Sequence, residues 1–176
     1  MKKAIFFDRD GTLIIDKVYL NDVNQVEYLP GVFNALKSLQ SSGFIFIVVT
    51  NQSGVARGLV DLKNIELIHD KIKSDFAKNE IHFAGFYFAP YSVESNHPMR
   101  KPNPGMLEVA TQEHKIDLSK SWMVGDRMTD VEAGRRAGTR TILLAGVDHP
   151  ENSQFDKPTA FVPDLLAVAE YIIETP

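Results

Sequence analysis

The chain has 176 residues, a formal net charge of −4 and no cysteine. This length suits one domain, residues 1–176, with a core of its own. The acidic balance lacks the basic surplus of nucleic-acid-binding proteins, and the absence of cysteine excludes disulfides and thiolate metal sites. The apolar run after Lys2 and Lys3 is too short for a signal peptide or a membrane span. We therefore expect a soluble cytoplasmic monomer that binds neither nucleic acid nor membranes.

Short apolar runs alternate with stretches of helical period along the chain. Several of the runs are apolar at every position, as in strands of a parallel sheet whose two faces are both covered. The predicted strands are residues 3–8, 44–51, 85–90, 122–126 and 139–145, with a sixth at 159–162.

Five helices are predicted between and after these strands, at residues 30–43, 61–79, 103–115, 129–138 and 163–174. The fourth opens with a capping box from Thr129 to Glu132 and ends at Gly138. Alternation of this kind predicts an α/β fold, a Rossmann-like three-layer α/β/α arrangement around a mostly parallel sheet. Ligands of such sheets bind beyond the carboxyl ends of the strands.

Chemically capable side chains stand at these strand ends. Asp8 and Asp10 follow the first strand, Thr50 ends the second, and Asp126 ends the fourth, while Lys101 lies in the loop after the third. Three acids gathered at one edge would suit a hard, oxygen-preferring cation, most simply Mg²⁺. Lys101 and the Thr50 hydroxyl would then face a phosphoryl group beside that metal.

Charge balance explains why phosphate chemistry needs this set. A phosphate and a carboxylate about 4 Å apart repel each other by roughly 4 kcal/mol at an effective dielectric constant near 20. A bridging Mg²⁺ and an opposed lysine cancel that repulsion. Aspartate is a competent nucleophile towards phosphorus. A second acid two residues further on can protonate the leaving oxygen and later deprotonate water.

The motifs D-x-D-x-T, T-N, K-P and G-D-x-x-x-D occur in this order over nearly the whole chain. The arrangement resembles the haloacid dehalogenase (HAD) superfamily of phosphohydrolases. The resemblance implies that Asp8 is the nucleophile and Asp10 the general acid/base. It also implies a metal held by the Asp8 carboxylate, the Asp10 backbone carbonyl and Asp126, with Thr50 and Lys101 orienting the phosphoryl group.

A narrower resemblance rests on "FFDRDGTLI", "VVTNQSGVARG", "RKPNPGML" and "MVGDRMTDVEAG". These stretches look like the D-glycero-D-manno-heptose 1,7-bisphosphate phosphatases, with the histidinol-phosphate phosphatases as a close sister group. The resemblance implies a small phosphorylated sugar as substrate, and we expect Asp130 to orient a metal ligand or Lys101. The substrate-binding residues expected on this basis are Asp16, Lys17, Val18, Tyr19, Asn51, Gln52, Ser53, Arg57, Arg100 and Arg127.

One stretch departs from that family. Many members carry a zinc loop of cysteines and a histidine before the Arg-Lys pair, whereas here "APYSVESNHPMRKP" offers only His97. A single histidine cannot build a tetrahedral zinc site, so we expect no zinc. We expect His97 and His69 to be ordinary surface or helix residues. The spacing from Asp10 to Thr50 leaves no room for a large cap domain, so short loops should set specificity.

Several alternatives stay open at this point. Histidinol phosphate and a polynucleotide 3′-phosphate are the competing substrates, and the acidic charge disfavours the second. A receiver-like signalling module also carries a phosphorylated aspartate beside Mg²⁺, but Asp10 with Thr12 is placed to discharge the phosphoryl group rather than store it. A non-catalytic relative is a further alternative, although every expected catalytic residue type is present.

Overall fold

The computed structural model of the protein describes residues 1–175. The strands in these residues are β1 (Ala4–Phe7), β2 (Ile45–Asn51), β3 (Phe83–Ala89), β4 (Trp122–Gly125), β5 (Arg140–Leu144) and β6 (Ala160–Val162). All six are parallel and form one sheet in the order β3-β2-β1-β4-β5-β6. The predicted α/β fold is therefore confirmed.

Five α-helices cover the two faces of the sheet in the described part of the chain. Both faces of β1 are buried, because Ile5 and Phe7 pack on one side while Ala4 and Phe6 pack on the other. Burying a side chain as large as Ile5 or Phe7 contributes about 1.5–3 kcal/mol. The helices are α1 (Val32–Ser41), α2 (Leu62–Ala77), α3 (Gly105–His114), α4 (Met128–Ala137) and α5 (Leu165–Glu174). The first face is covered by α1, α2 and α5, and the second by α3 and α4.

The start of α4 differs from the predicted capping box. The helix begins at Met128 with Arg127 as its extended N-cap residue, so Thr129 lies inside the first turn instead of before it. Asp130, the third residue of the helix, makes the capping bond: its Oδ2 atom accepts from the Arg127 backbone N–H at 3.0 Å. Glu132 instead binds the guanidinium of Arg135 at 2.8 Å.

The topology places three strand ends side by side. β1 lies between β2 and β4, so the carboxyl ends of these parallel strands meet at one edge of the sheet. Residues 8–44, which join β1 to β2, contain one 3₁₀ turn and α1 and no inserted cap domain. In residues 1–175, no helix combines the length and apolar character that crossing a bilayer would require.

Candidate active site

A tight turn follows β1 and carries the first two acids. The Asp8 backbone N–H donates to the Val124 carbonyl at 2.9 Å, which ties the turn to β4. Gly11 closes the turn with a φ of 78°, a left-handed conformation that glycine adopts without a Cβ penalty. A Cβ at Gly11 would overlap the Asp126 carboxylate. The glycine therefore lets the turn approach the end of β4.

Lys101 lies at the centre of the acids. Its side chain is 2% exposed, and Nζ lies 2.7 Å from Asp8 Oδ1 and 2.6 Å from Asp130 Oδ1. Nζ also donates to the Val49 carbonyl at 2.8 Å. Burial opposes the charged amine, but the nearby Asp130 and Asp8 raise the pKa of Lys101, so it stays protonated.

Asn51 fixes the backbone that presents this lysine. Its Oδ1 atom accepts from the Lys101 backbone N–H at 3.0 Å, and its Nδ2 atom donates to the Lys101 carbonyl at 3.0 Å. The T-N motif at the end of β2 is thereby joined to the K-P motif, 50 positions away in sequence. Asn51 thus sets the position from which Lys101 reaches Asp8.

Three buried carboxylates form a compact cluster. One oxygen each from Asp8, Asp126 and Asp130 lies within 4.8 Å of the other two. Burial, together with the charges of Asp8 and Asp130, raises the pKa of Asp126 to about 8. Burial also raises the pKa of Asp130, whose oxygens are already engaged by Lys101 and the Arg127 N–H.

Asp126 provides the test of whether a cation fits here. Its Oδ1 atom is buried and has no hydrogen-bond partner within the described residues. A buried carboxyl oxygen without a partner is costly, and a hard cation is the partner that suits its charged form. The donors present therefore fit Mg²⁺ held by Asp8 and Asp126, with Asp130 outside the ligand set because both of its oxygens are engaged, by Lys101 and by the Arg127 N–H.

Asp10 lies to one side of this cluster in its own hydrogen-bond network. Its side chain is 20% exposed. The Arg9 guanidinium donates to both Asp10 oxygens, at 3.1 and 3.2 Å. Gln52 Nε2 donates to Asp10 Oδ2 and to the Thr50 hydroxyl, both at 2.9 Å. Burial raises the pKa of Asp10, and the charge of Arg9 opposes that rise.

Comparison with known proteins identifies the family. The sequence model of the HAD-hydrolase-like family matches residues 98–168. A D-glycero-beta-D-manno-heptose-1,7-bisphosphate 7-phosphatase from Pasteurella multocida is 35% identical over 173 residues, covering 95% of this chain and 94% of the relative. The protein of the same name from Escherichia coli K12 is 34% identical over 171 residues, covering 93% and 90%. The chain belongs to the HAD-like phosphatases.

A solved structure extends the likeness to the whole fold. The D,D-heptose 1,7-bisphosphate phosphatase from B. bronchiseptica, complexed with magnesium and phosphate, superposes with a TM-score of 0.89 at 29% identity. The match covers 99% of both chains. This HAD-like phosphatase is therefore a phosphoric monoester hydrolase, and a structural neighbour is complexed with magnesium, the metal predicted from the acid cluster, and with phosphate.

The acid cluster of the phosphatase opens into a cavity of about 500 Å³. Most of the residues predicted to bind substrate line this cavity. Two do not: Lys17 Nζ pairs with Glu27 at 2.9 Å, and Arg57 donates to the Tyr19 hydroxyl at 3.0 Å. The predicted residues in the wall are Asp8, Asp10, Asp16, Val18, Tyr19, Thr50, Asn51, Gln52, Ser53, Arg100, Lys101, Arg127 and Asp130.

Other residues at the site were not predicted from the sequence. His69 was expected to be an ordinary histidine, but it is buried on α2 with its ring against Arg9. The sequence did offer a signal for Arg9. A cation between two predicted catalytic acids is expected to pair with one of them, as Arg9 does with Asp10. The other unpredicted wall residues are Leu20, Gly54, Val93, Thr129 and Asp148.

The loop before Lys101 is organised by side chains of its own. The rings of Tyr91 and His97 stack with centroids 3.5 Å apart and an interplanar angle of 14°. Asn103 donates to the His97 carbonyl at 3.1 Å, and Arg100 donates to the Tyr91 carbonyl at 3.2 Å. This stack and these bonds hold residues 91–103 at the rim of the cavity.

Proposed function

We propose that the protein is a Mg²⁺-dependent phosphomonoesterase acting on D-glycero-D-manno-heptose 1,7-bisphosphate through an aspartyl-phosphate at Asp8. The observation that carries the proposal is the placement of Lys101 Nζ 2.7 Å from Asp8, in one cluster with Asp126, whose buried Oδ1 atom has no hydrogen-bond partner in residues 1–175. Phosphate transfer requires a nucleophilic carboxylate with a cation and a metal-binding acid close to it. Asp8, Lys101 and Asp126 are these three groups in the proposal.

Each residue has a role in this scheme. Asp8 attacks phosphorus, while Asp10 gives its proton to the leaving oxygen and then accepts one from the hydrolytic water. Thr50 and Lys101 bind the phosphoryl oxygens. Mg²⁺, when bound, would neutralise charge between nucleophile and phosphate. Its ligands would be the Asp8 and Asp126 carboxylates and the Asp10 backbone carbonyl.

The substrate assignment rests on the relatives and on the wall of the cavity. Relatives 34–35% identical over more than nine-tenths of the chain carry the heptose bisphosphate name. Two cations, Arg100 and Arg127, line the cavity beyond Lys101, and Arg57 stands behind Tyr19. Arg100 and Arg127 suit the second phosphate of a bisphosphate. The cavity volume also suits a small ligand.

The setting of the reaction is part of the proposal. We expect residues 1–176 to act as a single domain, as a monomer in the cytoplasm and without zinc. The single sheet supports the first expectation. The ordering of residues 91–103 by Tyr91 and His97 supports the expectation that no zinc is needed there. Sedimentation, cell fractionation and elemental analysis of the purified protein test these points.

A panel of phosphate esters tests the function. Phosphate release should be fastest, by kcat/KM, with the heptose bisphosphate, slower with histidinol phosphate and slowest with an oligonucleotide 3′-phosphate. Activity should require Mg²⁺ and disappear with EDTA. Preference for either competing ester would replace the substrate assignment. A long-lived phospho-Asp8 without multiple turnover would instead indicate the signalling alternative, and an active Asp8→Asn variant would remove the nucleophile.

A further inference from the structure

Arg9 lies beside Asp10, the proposed acid/base, and its guanidinium is almost completely buried, with a side chain 1% exposed. A buried charge is tolerated only when it is paired and hydrogen-bonded. Arg9 is bonded on two sides. Nε and Nη2 bind the two oxygens of Asp10 at 3.1 and 3.2 Å, and Nη1 lies 3.2 Å from His69 Nε2.

His69 fixes the far side of the guanidinium. Arginine can only donate, so His69 Nε2 is the acceptor and the ring is neutral with its proton on Nδ1. Burial, reinforced by the charge of Arg9, lowers the pKa of His69 to about 3. The ring packs between Phe86 and Phe88, with centroids 5.0 and 5.9 Å away, and is 7% exposed. It therefore acts as a rigid acceptor.

The bidentate contact determines how Asp10 points. Two N–H bonds from one guanidinium hold both carboxylate oxygens, which fixes the plane of the group as well as its position. Gln52 holds Oδ2 from the other side and also binds Thr50. The orientation of the acid/base is thus tied to α2 through His69 and to β2 through Gln52.

We propose that Arg9 and His69 are positioning residues that hold the Asp10 carboxyl group in the orientation needed for both proton transfers. The proposal rests on the phosphatase function described above. In the first step the Asp8–phosphorus bond forms, the ester P–O bond breaks, and the Asp10 proton passes to the leaving oxygen. In the second step Asp10 takes a proton from water as that water attacks phosphorus. Phosphate leaves Asp8, and Asp10 is protonated again.

The nature of the leaving group separates positioning from general stability. An alkoxide leaving from a sugar phosphate needs the Asp10 proton, whereas p-nitrophenolate is stable enough to leave without it. The ratio kcat/KM reports the steps up to phosphoenzyme formation and so isolates the first proton transfer. A variant that misplaces Asp10 should lose activity on the alkyl ester selectively, while a variant that is merely less stable should lose both activities in proportion.

The test uses Mg²⁺-loaded protein with the heptose bisphosphate and p-nitrophenyl phosphate. His69→Leu removes the acceptor, and Arg9→Lys keeps the charge without the bidentate contact. Each should lower kcat/KM about tenfold or more on the alkyl ester, part of the 10²- to 10⁴-fold that general acid catalysis contributes, and less than about threefold on the aryl ester. In His69→Gln the Oε1 atom of the new side chain can take the place of Nε2. This variant should therefore keep most of the kcat/KM on the alkyl ester that His69→Leu loses.

Controls make each outcome decisive. Ile72→Ala, one turn further along α2 and fully buried, should lower stability without changing the ratio of the two activities. Equal losses on both esters in His69→Leu and Arg9→Lys, or no rescue by His69→Gln, would overturn the positioning role. If His69→Leu does not fold, Arg9→Lys decides. Inactivity of the unmutated protein on both esters would instead refute the proposed function.

Discussion

The Nζ atom of Lys101 and the Oδ1 atom of Asp8 lie 2.7 Å apart, and both side chains are at least nine-tenths buried. The lysine therefore neutralises the carboxylate in the absence of substrate. In the proposed mechanism the same cation lies next to the phosphoryl group on Asp8, so it would serve both the resting protein and the charged transition state.

Lys101→Met tests this dual role. We expect kcat to fall about 10²- to 10³-fold, the usual cost of removing one preorganised charge-stabilising group. We also expect a loss of stability, because Asp130 would lose its buried partner. Steady-state kinetics and urea unfolding measure the two effects. Lys120→Met, whose side chain is 73% exposed, is the matched control and should change neither.

The acid cluster predicts that Mg²⁺ stabilises the fold. At a Mg²⁺ concentration 100 times the Kd, binding adds about 2.7 kcal/mol to the free energy of unfolding, which raises Tm. Asp126→Asn should abolish this rise, because it removes the charge of the carboxylate whose buried oxygen has no hydrogen-bond partner among the residues described. Differential scanning calorimetry with and without Mg²⁺ is the measurement.

Without metal, Asp126→Asn should be no less stable than the parent, because burial and the charges of Asp8 and Asp130 already disfavour a charged carboxylate at this position. Asp70→Asn, an exposed acid on α2, should keep the full Mg²⁺ response. An undiminished Mg²⁺ response in Asp126→Asn would place the metal elsewhere.

Alanine substitutions at two glycines distinguish the effect of backbone strain from damage to the acid cluster. Gly11 and Gly43 have φ values of 78° and 86°, so an alanine at either position costs about 1–2 kcal/mol. Only at Gly11 would the added Cβ overlap Asp126, whereas at Gly43 the nearest atom is Lys3 Cε at 3.5 Å. Gly11→Ala should therefore lose activity and the Mg²⁺-dependent rise in Tm. Gly43→Ala should lose stability alone, and equal activity losses in both would contradict the argument.

The buried neutral His69 makes stability depend on pH. Its pKa is about 3 in the folded protein against 6.5 for a free histidine. Below pH 6.5 the unfolded chain therefore binds a proton that the folded protein does not. The free energy of unfolding then falls as pH decreases towards 3, by up to about 1.4 kcal/mol per pH unit from this group. Urea unfolding between pH 7 and 5 should show a smaller fall in His69→Gln than in the parent.

The sequence predicted the sheet and the neighbourhood of Asp8 and Asp126 because both follow from strand order. Apolar runs set the strands, and parallel strands bring their carboxyl ends together. Side-chain pairing could not be read in the same way. Asn51 hydrogen-bonds to the Lys101 backbone, 50 positions away in the sequence. His69 contacts Arg9, 60 positions away. Lys17 was predicted to bind substrate from its position in the loop, but in the structure its side chain pairs with Glu27.

The separation of Asp8 and Lys101 by 93 positions in sequence has a consequence for folding. Contacts that close such long loops form only when much of the chain is already ordered. Neither half of the polypeptide contains a complete catalytic set, so a nascent or cleaved fragment should be inert. Recovery of enzymatic turnover during refolding would thus report completion of the whole native topology.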